Sequence, residues 1–260
     1  MRLGLGPIPL QGATRQTLAG LAAKAVASSF DAVWVGESRA DAVGGGLAAA
    51  AMLGQLVPIR VGAAVDAGLY HPLYLAEDIA IADLASQGRV EVLLRLTKEA
   101  SSRYEASTDQ TWFEEQLDVL ASALSGAHIQ WSGEHIRVPA RIEANQPAPE
   151  RLALNPRPAQ PAVPIWVESS EKWMDDLARR LGFGVASRFT PGTRVPPPTG
   201  RWPGVLLCAS DAEPKDLLAA AGEGSGYFIV AAQTPDEVVA AGRRLAGQLR
   251  MPEFPEWINA

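Results

Sequence analysis

Eight short apolar runs, spaced along the whole chain with amphipathic stretches between them, constrain this sequence more than any other feature. They lie at residues 2–7, 32–36, 59–65, 90–96, 165–167, 184–189, 204–209 and 227–231. Most are nearly continuous in apolar character rather than alternating, which is the pattern of parallel strands covered on both faces. Strands that alternate with helices favour a closed parallel sheet, so the fold expected is a (β/α)8 TIM barrel formed by residues 1–260 as a single domain. A chain of 260 residues with 47% hydrophobic residues has enough apolar surface to fill it.

The stretches between the runs carry helix signals. Thr111 with Glu114 and Thr234 with Glu237 have the spacing of capping boxes, and Pro235 stands at the favoured first helical position. Phe113, Leu117, Leu120, Ala121 and Leu124 fall on one helical face, as do Leu75, Ile79 and Ala82 in the helix that His71–Pro72 begins. Two stretches break the rhythm. Residues 139–164 contain seven prolines and read as an extended excursion, and residues 191–203, PGTRVPPPTGRWP, cannot form a covering helix. The barrel is therefore expected to be irregular, with a missing or shortened helix after strand six. Apolar surface left there would be covered by the loop itself or would invite a partner.

Several function classes are disfavoured. No apolar stretch approaches the roughly 18 residues that cross a bilayer. The N-terminus lacks the pattern of a secretory signal, and the one cysteine, Cys208, suits a reducing compartment, so a cytoplasmic protein is expected. His71, His128 and His135 have no metal-ligand spacing, so no metal site is expected. A net charge of -6 with scattered Lys and Arg offers no stripe for nucleic acid. Gly44–Gly46 lacks the Lys-Ser/Thr of a P-loop and reads as a flexible connection, and Cys208 reads as a buried strand residue.

Residues 59–96, IRVGAAVDAGLYHPLYLAEDIAIADLASQGRVEVLLRL, resemble the third strand, helix and fourth strand of the bacterial luciferase-like monooxygenase family. FDAVWVGES at 30–38, TWFEEQLDVLASALSG at 111–126, GEHIRV at 133–138 and NPRPAQPAVPIWVESS at 155–170 are similar to further parts of it. The likeness covers most of residues 1–187 and is looser and shorter beyond, as in a compact or truncated member. It implies a flavin- or deazaflavin-dependent oxidoreductase. In the FMN form, reduced FMN from a separate reductase and oxygen would act on a small organic substrate; in the other, a deazaflavin coenzyme would transfer hydride. A non-catalytic relative that stores a flavin, or that uses no cofactor and serves only as a protein partner, is the alternative. The family is commonly dimeric, and the apolar faces within residues 75–84 and 113–124 suggest a homodimer.

In this type of barrel the active site lies at the C-terminal ends of the strands. The positions there are Glu37, Val65, Asp66, Arg95, Leu96, Ser169, Ser170 and the segment 208–210. Glu168, Ser169 and Ser170 join a strand to a helix whose free amides favour an anion, and the luciferase catalytic subunit has a similar Glu-Ser pair on the FMN phosphate. Ser170 would otherwise cap that helix, and Glu168 and Glu171 would repel phosphate unless turned away. Ala64 and Val65 occupy the strand where many relatives hold a non-prolyl cis peptide against the flavin ring. Arg95 sits one residue before the arginine that luciferase places on the phosphate, an offset that would point it off the cofactor face. Glu37 is read as a base or polar contact, against an ordinary solvated carboxylate, and His71 as structural. No residue stands out as a nucleophile, which suits a cofactor doing the chemistry.

Overall fold

The computed structural model describes residues 1–36, 45–96, 110–138, 152–222, 226–232, 234–246 and 248–249. Eight parallel strands close into a barrel: β1 (Arg2–Pro9), β2 (Ala32–Gly36), β3 (Arg60–Asp66), β4 (Val90–Arg95), β7 (Ile165–Glu168), β8 (Gly184–Arg188), β9 (Val205–Cys208) and β10 (Tyr227–Val230). A short antiparallel hairpin of β5 (Trp131–Ser132) and β6 (Arg137–Val138) lies outside it. Helices connect most neighbours: α1 (Arg15–Ala27), α2 (Gly45–Gly54), α3 (Pro72–Ala85), α4 (Gln110–Leu124), α5 (Lys172–Leu181), α6 (Pro214–Ala221) and α7 (Pro235–Leu245). The barrel is a (β/α)8 TIM barrel. No helix joins β8 to β9, because the proline-rich loop cannot supply one. The loop nevertheless covers that side, with Trp202 only 6% exposed.

Several helix starts follow the sequence. His71 caps α3, its Nδ1 accepting from the Leu73 amide, and burial pushes its imidazole below the usual range. Thr234 and Glu237 form a complete capping box on α7. Thr111 does not start its helix: α4 already includes Gln110, whose side-chain amide donates to Glu114 at 2.6 Å. Gly45 and Gly46 are not a loop either, since they open α2; Gly44 lies outside the described residues.

The core has two parts. Val61, Val65, Val92, Leu94 and their equivalents face outward against the helices. The inward set comprises Ala32, Trp34, Ala64, Leu93, Trp166, Ala186, Trp202, Val205, Tyr227 and Ile229. The indoles fit because glycines lie beside them: a Cβ on Gly62 would fall within the Trp34 ring, and one on Gly184 within that of Trp166.

Buried charge closes the N-terminal end. Glu91, fully buried, pairs with Arg2 and Arg60 and accepts from the Tyr227 hydroxyl at 2.9 Å. Arg60 continues to Gln160 at 2.8 Å, and Gln160 donates to buried Asp83 at 2.7 Å. Burial opposes the charge on Arg2, but Glu91 outweighs it and the guanidinium stays above its ordinary pKa.

The outer hairpin hangs on one carboxylate. Glu115 of α4 accepts from the amides of Glu134, His135 and Ile136 at 2.6, 3.0 and 2.8 Å. Burial alone would raise this carboxyl, but the three amides hold it below the usual 4.5. Glu115→Gln should cost about 1–3 kcal/mol in urea melts, because Gln keeps one acceptor oxygen but turns an NH2 donor toward amides that faced the other. A depressed pKa gives stability that is complete above the unfolded value and fades as pH falls through the folded one. The wild-type advantage over Glu115→Gln is therefore expected at neutral pH and should vanish in acid below 4.5.

Candidate active site

The C-terminal ends of the strands form the barrel mouth. Ala64, Leu93, Trp166 and Ala186 point inward, and side chains alternate along a strand, so Asp66, Arg95, Glu168 and Arg188 also face the interior, one step nearer the mouth. Arg95 thus faces the barrel interior, although its offset suggests that it points away. Its Nη2 donates to the Ala64 carbonyl at 3.3 Å, whereas Leu96 packs outward against the helices. Across the sheet Arg95 is the residue after the Leu94–Val167 pair, which sets it beside Glu168.

Glu168 ends β7 and is held by Arg188 of β8 at 2.8 Å. The Arg188 side chain is 81% exposed, so one face of the guanidinium remains open to a ligand. Ser169 donates its amide to the Ala186 carbonyl at 2.8 Å and its hydroxyl to the Glu171 carbonyl at 3.1 Å. Ser170 is exposed and does not cap α5: the N-cap is Glu171, with no side-chain cap bond. The Glu171 carboxylate instead accepts from Trp173 Nε1 at 3.0 Å. Both acidic groups flanking the serines are thereby engaged, Glu168 by a guanidinium and Glu171 by an indole.

Ala64 and Val65 are fully buried, and their peptide bond is trans; among the described residues the cis bonds lie at Gly6–Pro7 and Asn155–Pro156. Asp66, 5% exposed, accepts from the Gly68 amide at 3.1 Å and shapes the turn after β3. Glu37 lies outside the described residues. Trp173 does not enter the mouth, because its ring packs edge-on against Phe113 at 6.0 Å. Cys208 is buried, and burial pushes its thiol up to about 12, so it is no nucleophile. Among the described residues no group of His, Cys, Asp and Glu is arranged to hold a metal ion, and no helix is long and apolar enough to cross a membrane.

Sequence reasoning missed Arg188. The signal was present in GVASR, where Gly184, Ala186 and Arg188 share one strand face, small residues leading to a cation at the mouth.

A family model described as luciferase-like monooxygenase matches residues 4–192. The chain belongs to that family. The luciferase-like barrel is similar to the crystal structure of monooxygenase RslO1 from Streptomyces bottropensis, with 16% identity and a TM-score of 0.69 over 96% of this chain and 99% of that one. It is similar to apo-MsnO8, at 14% identity and a TM-score of 0.67 over 96% and 99% of the two chains. An F420-dependent secondary alcohol dehydrogenase in complex with an F420-acetone adduct also matches, at 10% identity and a TM-score of 0.69 over 94% and 98%. These identities establish the shared luciferase-like fold and no more. No curated protein matches the chain in sequence.

Proposed function

We propose that this chain is a luciferase-like oxidoreductase, one barrel domain over residues 1–260, that binds reduced FMN at the barrel mouth and acts on a small organic molecule. The observation that carries the reading is the arrangement after β7. Two serines lead into a helix without a side-chain cap, and the acidic neighbours are neutralised or turned aside. Backbone amides at a helix start, hydroxyls and guanidinium groups are the chemistry that holds a phosphate. Ser169, Ser170, Arg188 and Arg95 would take the phosphate, with Glu168 positioning Arg188. Ala64 would line the cofactor side and Glu37 would add a polar contact, whereas Val65, whose side chain faces the helices, could offer only its backbone. The flat apolar floor of Ala64, Leu93 and Ala186 suits an aromatic ring system and excludes water beneath it. When bound, the reduced flavin supplies the electrons for oxygen chemistry, and a separate flavin reductase would be its source.

The checking experiment is a fluorescence titration with FMN, oxidised and anaerobically reduced, and with a deazaflavin coenzyme. Saturable binding of reduced FMN is expected. Ser169→Asp places a negative charge at the phosphate and should weaken binding at least tenfold, about 1.4 kcal/mol. Preference for the deazaflavin would move the assignment to hydride transfer. Binding of neither would leave a non-catalytic barrel.

A homodimer in a reducing cytoplasm belongs to the same reading. The faces available differ from those the sequence offers, because Phe113, Leu117 and Leu120 are fully buried against the barrel. On α3, however, Tyr74, Ile81 and Leu84 are 67%, 52% and 44% exposed, and Leu56 after α2 is 46% exposed. Large apolar side chains grouped on adjoining helices mark an interaction face, and a two-fold axis would pair this face with itself. Light scattering should give twice the chain mass, and Ile81→Glu should give a monomer.

A further inference from the structure

TIM-barrel interiors are ordinarily filled by branched aliphatic side chains, yet the largest fully buried groups here include Trp34, Trp166 and Tyr227, all facing inward. Trp166 is the hub, with its ring centroid 6.1 Å from Trp34, 5.7 Å from Tyr227 and 6.2 Å from Trp202. Trp34 and Tyr227 are themselves 6.2 Å apart. Trp34 stands two residues below the C-terminal end of β2, under the mouth. Trp202 lies at the opposite end, where it lines a cavity of about 370 Å³ with Ala162, Ile165 and Phe183. The rings form an unbroken path from the floor of the mouth to that cavity. Protons are provided for as well. Trp34 Nε1 donates to the Tyr227 hydroxyl at 2.6 Å, and that hydroxyl donates to Glu91 at 2.9 Å.

We propose that Trp34, Trp166, Tyr227 and Trp202 are a one-electron relay that carries oxidising equivalents from the barrel mouth to the cavity at its closed end. Its use rests on the reading of the mouth as an oxygen-activating redox site, where stray one-electron oxidants of the reactive-oxygen class arise. Such an oxidant takes one electron from Trp34 or Trp166 and is reduced. The indole radical cation is refilled by the neighbouring ring, so the electron moves toward the mouth as the vacancy moves away. When the vacancy reaches Tyr227, the phenol gives one electron to Trp166 and its proton to the Glu91 carboxylate, and both return on re-reduction. Burial holds the phenol in its protonated form, so that proton is present at rest. At Trp202 the vacancy is filled by one electron from a thiol or ascorbate in the cavity. One oxidant is reduced and one reductant is oxidised.

The relay is testable without any flavin, so its failure and that of the flavin reading are separable. Ser170→Cys places a thiol at the mouth, and the buried Cys208 does not compete for labelling. The full chain carrying a ruthenium polypyridyl sensitiser there is oxidised by flash-quench. Transient absorption of tryptophan and then tyrosyl radicals is expected, together with an oxygen adduct at Trp202 mapped by mass spectrometry. Trp166→Phe should lower the tyrosyl signal and the adduct at least tenfold. Trp202→Phe, at the edge of the core, keeps the test open if Trp166→Phe does not fold: without its exit, the tyrosyl radical should outlive that of the parent. Unchanged yields in Trp166→Phe, an unchanged lifetime in Trp202→Phe, or adducts confined to Trp112 and Trp173 would overturn the relay.

Discussion

Glu91→Ala should destabilise the protein by about 3–5 kcal/mol, the cost of removing one partner from a buried ion cluster. The side chain is fully buried and is shared by Arg2, Arg60 and the Tyr227 hydroxyl. Its loss leaves Arg2, only 4% exposed, facing a low dielectric with its main counter-charge gone. Water has little room to substitute, because Trp34, Trp166 and Tyr227 fill the space above. Urea unfolding should show a lower midpoint with an unchanged slope. Glu91→Gln, which keeps shape and one acceptor, should lose less. A cost within 0.5 kcal/mol for Glu91→Ala, an ordinary surface effect, would mean that the cluster contributes nothing net.

The second large effect is expected at Gly62. A methyl group there meets the indole of Trp34, which is hemmed in by Gly4, Trp166 and Tyr227. Overpacking of this kind costs about 1–3 kcal/mol, and the closeness of the clash puts Gly62→Ala at the upper end. The cause can be isolated by a cycle. In a Trp34→Phe background the smaller ring leaves room, so Gly62→Ala should cost less by about 1 kcal/mol or more, within the usual coupling of touching residues. Equal costs in both backgrounds would place the penalty in the strand itself.

All eight barrel strands were legible because parallel strands buried on both faces must be apolar almost throughout, and each observed strand starts and ends within two residues of its run. The missing helix after β8 was legible for a similarly local reason, since proline cannot be built into one. The phase of the strands was not. Whether Arg95 points inward depends on which residues the closed sheet turns toward the axis, and that is settled by pairing across strands distant in sequence. The same ignorance hid Arg188, whose partner Glu168 is on another strand. Glu91 was more readable than it was read: a carboxylate inside VEVLLR, where every neighbour is apolar up to Arg95, can only be there to meet a charge or a hydrogen-bond donor. The helix start near Thr111 failed because a capping-box spacing inside a helix looks the same as one at its end.

Closing β1 against β10 has a consequence for how the chain is made. Arg2 pairs in register with Tyr227, and both meet Glu91, so residues near the first and last barrel strands complete one ion cluster. On the ribosome the seven earlier strands can assemble only as an open sheet, with Glu91 and the inward faces of Trp34 and Trp166 unsealed until Tyr227–Val230 emerges. Parallel pairings of such sequence separation are slow to form and leave apolar edges exposed meanwhile. Nascent chains stalled before residue 227 should therefore be held by chaperones, and those stalled well beyond residue 245 released from them.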